Sequence, residues 1–135
     1  MYNSIIQKLF TALSGITSIK AFYDYEAINY EKYPCVVIIP MSRSSAFKTI
    51  GRDNERIYKF QVRIIHKIDT PETDQKQLRT VADAVDSLFE GSAQLSLGGT
   101  VNFTIPSEGN FKFNVGETSL YIYEFVLEAS YLFHR

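Results

Sequence analysis

The one cysteine of the chain, Cys35, sits in the apolar run "YPCVVIIP", from Tyr33 to Pro40. A nucleophilic thiol needs a neighbouring base and an accessible, electropositive setting. Val36, Val37, Ile38 and Ile39 supply neither, and free cysteines are commonly buried. Cys35 therefore reads as a small side chain in a buried strand. His66 and His134 fall near the ends of two long alternating segments. Pairing of those segments could bring the two rings together, yet two ligands do not complete a metal site. The penultimate position of His134 also favours a solvated ring. Asp83 and Asp86 stand three apart in a helical segment, a spacing at which carboxylates can divide acid and base roles. The helical wheel puts Asp83 opposite the apolar stripe and Asp86 on its flank, as for solvated carboxylates. No phosphate-binding glycine loop, H-E-x-x-H or G-x-S-x-G occurs. No catalytic residue, cofactor or metal is expected, and the chain does not read as an enzyme.

Charge is less even than its total. Basic and acidic side chains number 14 and 15, which argues against a dedicated nucleic-acid or membrane-surface binder. Between Arg43 and Lys67, however, Arg43, Lys48, Arg52, Arg56, Lys59, Arg63 and Lys67 face only Asp53 and Glu55, a local net charge of +5. One reading is a solvated strand face plus a soluble loop. The other is a surface that meets phosphate or an acidic partner. Arg43, Lys48 and Arg52 lie in its turn-rich part and are the candidate DNA- or partner-facing residues.

A lone cysteine excludes an internal disulfide framework. The N-terminal "MYNSIIQKLFTALSG" is interrupted by Gln7 and Lys8 and makes no signal peptide. No run approaches the roughly 20 apolar residues of a membrane helix. A soluble chain folding in a reducing, cytoplasmic setting is expected, with no membrane partner.

The elements that must hold these residues are legible from period. Ile5, Ile6, Leu9, Phe10 and Leu13 line one face of a helix, with Asn3 or Ser4 at its start and Gly15 at its end. "KAFYDY" is an edge strand or extended chain. Cys35 to Ile39 forms a central strand buried on both faces, and a loop, "MSRSSAFKTIGRDNER", follows it. Tyr58, Phe60, Val62 and Ile64 alternate with Lys59, Gln61 and Arg63 in a long strand, where Ile64-Ile65 predicts a bulge or a change of surroundings. "DTPETDQKQLRTVADAVDSLFEG" is the clearest helix, capped by Asp69 or Thr70, with Leu78, Val81, Ala82, Val85, Leu88 and Phe89 as its stripe and Gly91 closing it. A Gly98-Gly99 turn, a strand "TVNFTIP" and a hairpin-like connection "SEGNFKFNVGETS" lead to a last strand, Leu120 to Phe133. The order predicts one α+β domain over residues 1–135, a mainly antiparallel sheet with two helices packed on one face.

Two features point to self-association. A compact 135-residue domain is about 37 Å across from its expected radius of gyration. A strand of fourteen residues spans roughly 47 Å, so Glu55 to Ile68 and Leu120 to Phe133 should overhang such a body. Aromatics also make up 14% of the chain without any Trp. Many must fill the core, and others suit an interface. Tyr58, Phe60, Tyr121, Tyr123, Tyr131 and Phe133 are the candidate subunit-interface residues.

Taken in order, the N-terminal helix, "YEKYPCVVIIP", the polar loop into "ERIYKFQVRI", the helix "QLRTVADAVDSLF", the glycine turn and "SLYIYEFVLEASYLF" resemble the tail terminator proteins of long-tailed bacteriophages over nearly the whole chain. That resemblance implies an α+β subunit of a hexameric ring on the head-proximal end of the tail tube. Its partners would be the major tail tube protein, the head-tail connector proteins and DNA passing non-specifically through the lumen. It places the protein in the virion tail after assembly in the host cytoplasm, and it brings no catalytic residues. Other neck, head-completion or minor tail proteins share almost all of these features and form the alternative.

Overall fold

The computed structural model describes residues 1–27, 30–47, 53–90, 94–96, 100–105, 109–115 and 118–134. Helix α1, Tyr2–Leu13, buries Ile5, Ile6, Leu9 and Leu13, the face its 3.6-residue period dictates. It starts ahead of the expected Asn3 or Ser4, with Met1 at the N-cap and no side-chain cap. Helix α2, Pro71–Glu90, begins at the proline, whose missing amide donor costs nothing there. Neither Asp69 nor Thr70 caps it by its own side chain among the bonds seen. Instead Asp74 reaches back, and its Oδ2 accepts the Asp69 and Thr70 amides at 2.8 Å each. Leu78, Val81, Ala82, Val85 and Phe89 are buried from this helix, each worth roughly 1.5–3 kcal/mol against exposure for the larger ones.

The strands are β1 (Ala21–Tyr23), β2 (Cys35–Phe47), β3 (Asp53–Lys67), β4 (Gln94–Ser96), β5 (Thr100–Thr104), β6 (Asn110–Asn114) and β7 (Leu120–His134). They form one mixed sheet in the order β1-β2-β3-β7-β5-β4, with β6 also beside β7. Two helices and this sheet make an α+β fold. β1 runs parallel to β2, and the other pairings seen are antiparallel. β3 and β7 pair along their full lengths, from Asp53 opposite His134 to Lys67 opposite Leu120. The far edge of β7 is shared, by β6 at Leu120–Glu124 and by β5 at Glu128–Leu132.

Alternation along these strands sorts the side chains. Val36, Ile38, Tyr58, Phe60, Val62, Ile64, Tyr123, Phe125, Leu127, Ala129 and Tyr131 share one buried cluster with the apolar stripes of both helices. Cys35, Val37, Ile65 and Ile122 form a smaller buried cluster, at the strand positions that alternate with those of the first. The second cluster corrects the expectation at Ile64-Ile65. The register runs on without a break through Ile64–Tyr123, Ile65–Ile122 and His66–Tyr121, because Ile65 has apolar neighbours of its own.

A further correction concerns β2. The sequence suggests that it stops at Ile39, but it continues through a register shift between Pro40 and Ser42 and pairs with β3 as far as Phe47–Asn54. Ladder bonds to β3 hold this polar stretch, where Met41, Ser42, Arg43 and Ser44 are all exposed. "KAFYDY" supplies the edge strand β1, and the hairpin-like connection supplies β6. Gly51, Gly91 and the Gly98-Gly99 turn lie outside the described residues. Among the described residues no helix is long and apolar enough to cross a membrane.

Candidate interaction surfaces

The groups that could do chemistry are placed apart. Cys35 is fully buried, and desolvation pushes its thiol up to about 12, which withholds the thiolate a nucleophile needs. His66 and His134 stand at opposite ends of the β3–β7 ladder, opposite Tyr121 and Asp53 respectively. The antiparallel register therefore separates them by about 44 Å of strand. His66 is buried, with Nδ1 2.7 Å from the Lys67 carbonyl and Nε2 2.9 Å from Gln77 Oε1. Asp74 Oδ1 lies 3.9 Å from the same Nε2. These contacts pin the start of α2 to the end of β3. Among the described residues no three His, Cys, Asp or Glu side chains gather as a metal site would require.

Asp83 is exposed, whereas Asp86 is engaged by the sheet. The Tyr123 hydroxyl donates to its carboxylate oxygens at 3.1 and 3.2 Å. Burial pushes the Tyr123 phenol up to about 12, and the Asp86 charge adds to the shift. Gly109 packs against this ring so closely that a Cβ there would overlap the Tyr123 ring and hydroxyl. The carboxylate is thus a tether between helix and sheet rather than half of an acid–base pair.

Two cations of the basic stretch, Lys59 and Arg63, are paired with carboxylates of other elements. Lys59 meets Glu128 at 3.4 Å, directly opposite in register. Arg63 meets Glu26 at 2.9 Å and Glu124 at 3.5 Å. Lys112 from β6 closes on the same Glu124, and Gln61 donates to it at 3.4 Å. Arg63, Lys112, Glu26 and Glu124 line a cleft of about 450 Å³ with Tyr30 and Leu120 in its wall. Two cations and two carboxylates balance there, so the cleft presents no net charge. Arg56 also has an interaction partner. Arg43 is exposed on β2, while Lys48 and Arg52 lie outside the described residues.

The aromatic candidates divide by depth. Tyr58, Phe60, Tyr123 and Tyr131 belong to the buried cluster of the single chain, so their area is spent internally and they are not surface anchors. Tyr2 packs edge-on against Tyr58 and Phe60. Tyr121 is half-buried and stacks with Phe111 at 5.4 Å, with the Arg79 guanidinium 5.8 Å from its ring centre. Phe133 is in β7, opposite Asn54, and its side chain lies outside the described part. Besides Met1 and Tyr25, the exposed large apolar groups among the described residues are Phe111, Phe113 and Val115 on and after β6, and Met41 on β2, which the sequence reading did not single out. The signal was present in "NFKFNV", a strict alternation inside a stretch read as a connection.

No protein-family model matches the chain, and no curated protein matches it. Among the described residues the arrangement offers an open β2 edge, an aromatic edge strand and a charge-balanced cleft.

Proposed function

We propose that this protein is a structural component of a long-tailed bacteriophage, a tail terminator that caps the head-proximal end of the tail tube. In this reading the subunit is a mainly antiparallel sheet with both helices on one face. Copies join as a hexameric ring, stop tube elongation and join the tail to the head connector. DNA passes through the lumen with non-specific contacts, and the protein resides in the virion tail after assembly in the host cytoplasm. One observation supports it above the rest. The main chain of β2 from Ile38 to Phe47 has no strand on its outer side among the described residues, and Met41 to Ser44 on it are exposed. An open edge of this kind is a liability in a lone subunit and an asset in an assembly. A tube of stacked rings grows until its end face is covered, and a cap needs contact surfaces rather than catalytic groups.

Deletion of the gene in its phage tests this. Filled heads, no infectious particles and tails of irregular, excessive length are expected. Tails of normal length beside heads that leak DNA would overturn it in favour of a head-completion role.

A further inference from the structure

Two stretches of main chain on opposite flanks of the sheet have no strand beside them among the described residues. On one flank β1 covers β2 only from Cys35 to Val37, which leaves the outer edge of β2 open from Ile38 to Phe47. On the other flank β6 pairs with β7, and its outer edge is open from Asn110 to Asn114. Open edges are templates for another strand, and natural sheets guard them with proline, bulges or outward lysines. β2 carries Pro40 and the register shift before Ser42 as guards, with the exposed Arg43 as its one described charge beyond the shift. The one lysine of β6, Lys112, is turned onto Glu124 and guards nothing. Phe111 and Phe113 are 44% and 47% exposed on β6, and Met41 is 54% exposed on β2.

We propose that β6 of one copy pairs with the open edge of β2 in a second copy, beyond its register shift, so that one sheet continues through successive subunits. This rests on the assembly reading above and names its contact. The occupant is a second copy because the same chain carries both unpaired edges, on opposite flanks of one sheet. Such a contact is head-to-tail, propagating in one direction until it closes. The lengths agree, since the five residues of β6 need about 17 Å of edge and Ser42 to Phe47 supplies about 20 Å. Main-chain hydrogen bonds supply the register, and the exposed Met41 stands at the near end of the paired edge, where it adds apolar cover beside the β6 rings.

Complementary one-sided variants test the contact. Met41→Lys/Ser44→Lys places charge on the β2 edge, and Phe111→Glu/Phe113→Glu disables β6. Every one of these positions is exposed, and circular dichroism checks the fold; Phe113→Ser/Val115→Asp replaces the second variant if it does not fold. In light scattering, wild type should exceed twice the subunit mass of 15.4 kDa. Each variant alone should stay monomeric. Their equimolar mixture should give the dimer and nothing larger, because the remaining edges are both disabled. A wild-type oligomer whose variants still associate alone, or whose mixture stays monomeric, overturns the edge contact and leaves the assembly reading standing. A wild type that remains monomeric at all concentrations and on tail tubes overturns both.

Discussion

Removal of the Tyr123 hydroxyl should cost about 1.5 kcal/mol of stability, and nearly all of that should depend on Asp86. The phenol donates one proton to a carboxylate whose two oxygens stand at 3.1 and 3.2 Å. Hydrogen bonds to charged groups are worth roughly 1.5–3 kcal/mol. These distances exceed the ~2.5–2.7 Å of the strongest O–H···O⁻ bonds, which selects the low end. With an unfolding entropy of about 2.1 cal/mol/K per residue, a 135-residue chain should lose about 5 °C in Tm. Urea unfolding of wild type, Tyr123→Phe, Asp86→Asn and the double variant, all at one protein concentration, gives the coupling energy directly. The pH dependence has a fixed sign. A phenol raised to about 12 from an ordinary 10.0 binds its proton more tightly in the folded state. Its contribution is whole below pH 10 and is lost as pH rises toward 12, so Tyr123→Phe should flatten that part of the profile. Gly109→Ala tests the same packing, because its Cβ overlaps the ring. It should cost about 1–3 kcal/mol as overpacking, and most of that cost should vanish in a Tyr123→Ala background. A coupling energy below about 0.3 kcal/mol, within the error of such cycles, would refute the tether.

Three further outcomes are expected, two from the structure and the last from the proposed function. Cys35 should react slowly with a thiol reagent in the folded protein and rapidly in denaturant, because it is buried and its thiol is raised; fast labelling of the folded chain would contradict this, and Cys35→Ala should leave assembly intact. Asp74 is held below its ordinary 3.8 chiefly by the Thr70 and Asp69 amides, so its contribution is present above that pH and is lost as pH falls through the lowered value. Asp74→Ala should therefore cost about 1 kcal/mol near neutrality, as for a lost helix cap, with the gap to wild type closing below pH 3.8 in acid unfolding. Reversing Arg43, Lys48 and Arg52 to Glu should leave the subunit folded while impairing head joining or DNA passage; full infectivity would reduce them to solvated surface.

Where a side-chain period carried the signal, the sequence could be read. Leu78, Val81 and Val85 mark α2, and Tyr58, Phe60 and Val62 mark β3, because each element buries one face and the spacing records it. The extension of β2 could not be read that way. Ser42 to Ser44 are exposed, and they are strand because Lys59 to Ile57 on β3 pair with them. The fate of the basic stretch was hidden for a related reason. Glu124 and Glu128 lie more than sixty positions from Arg63 and Lys59, and only the β3–β7 register brings them opposite. The aromatic candidates were chosen by type, and type does not separate a core ring such as Phe60 from an exposed one such as Phe111. The β6 alternation was visible, but it is short and flanked by Gly109 and Gly116, which favour a turn reading.

Negative-stain microscopy of the purified protein, alone and mixed with tail tubes, tests the capping claim most directly. The account predicts ring-shaped particles with six-fold averages, and rings seated at one end of each tube only. Compact single subunits in every field, or protein scattered along the tube walls with both ends bare, would contradict it.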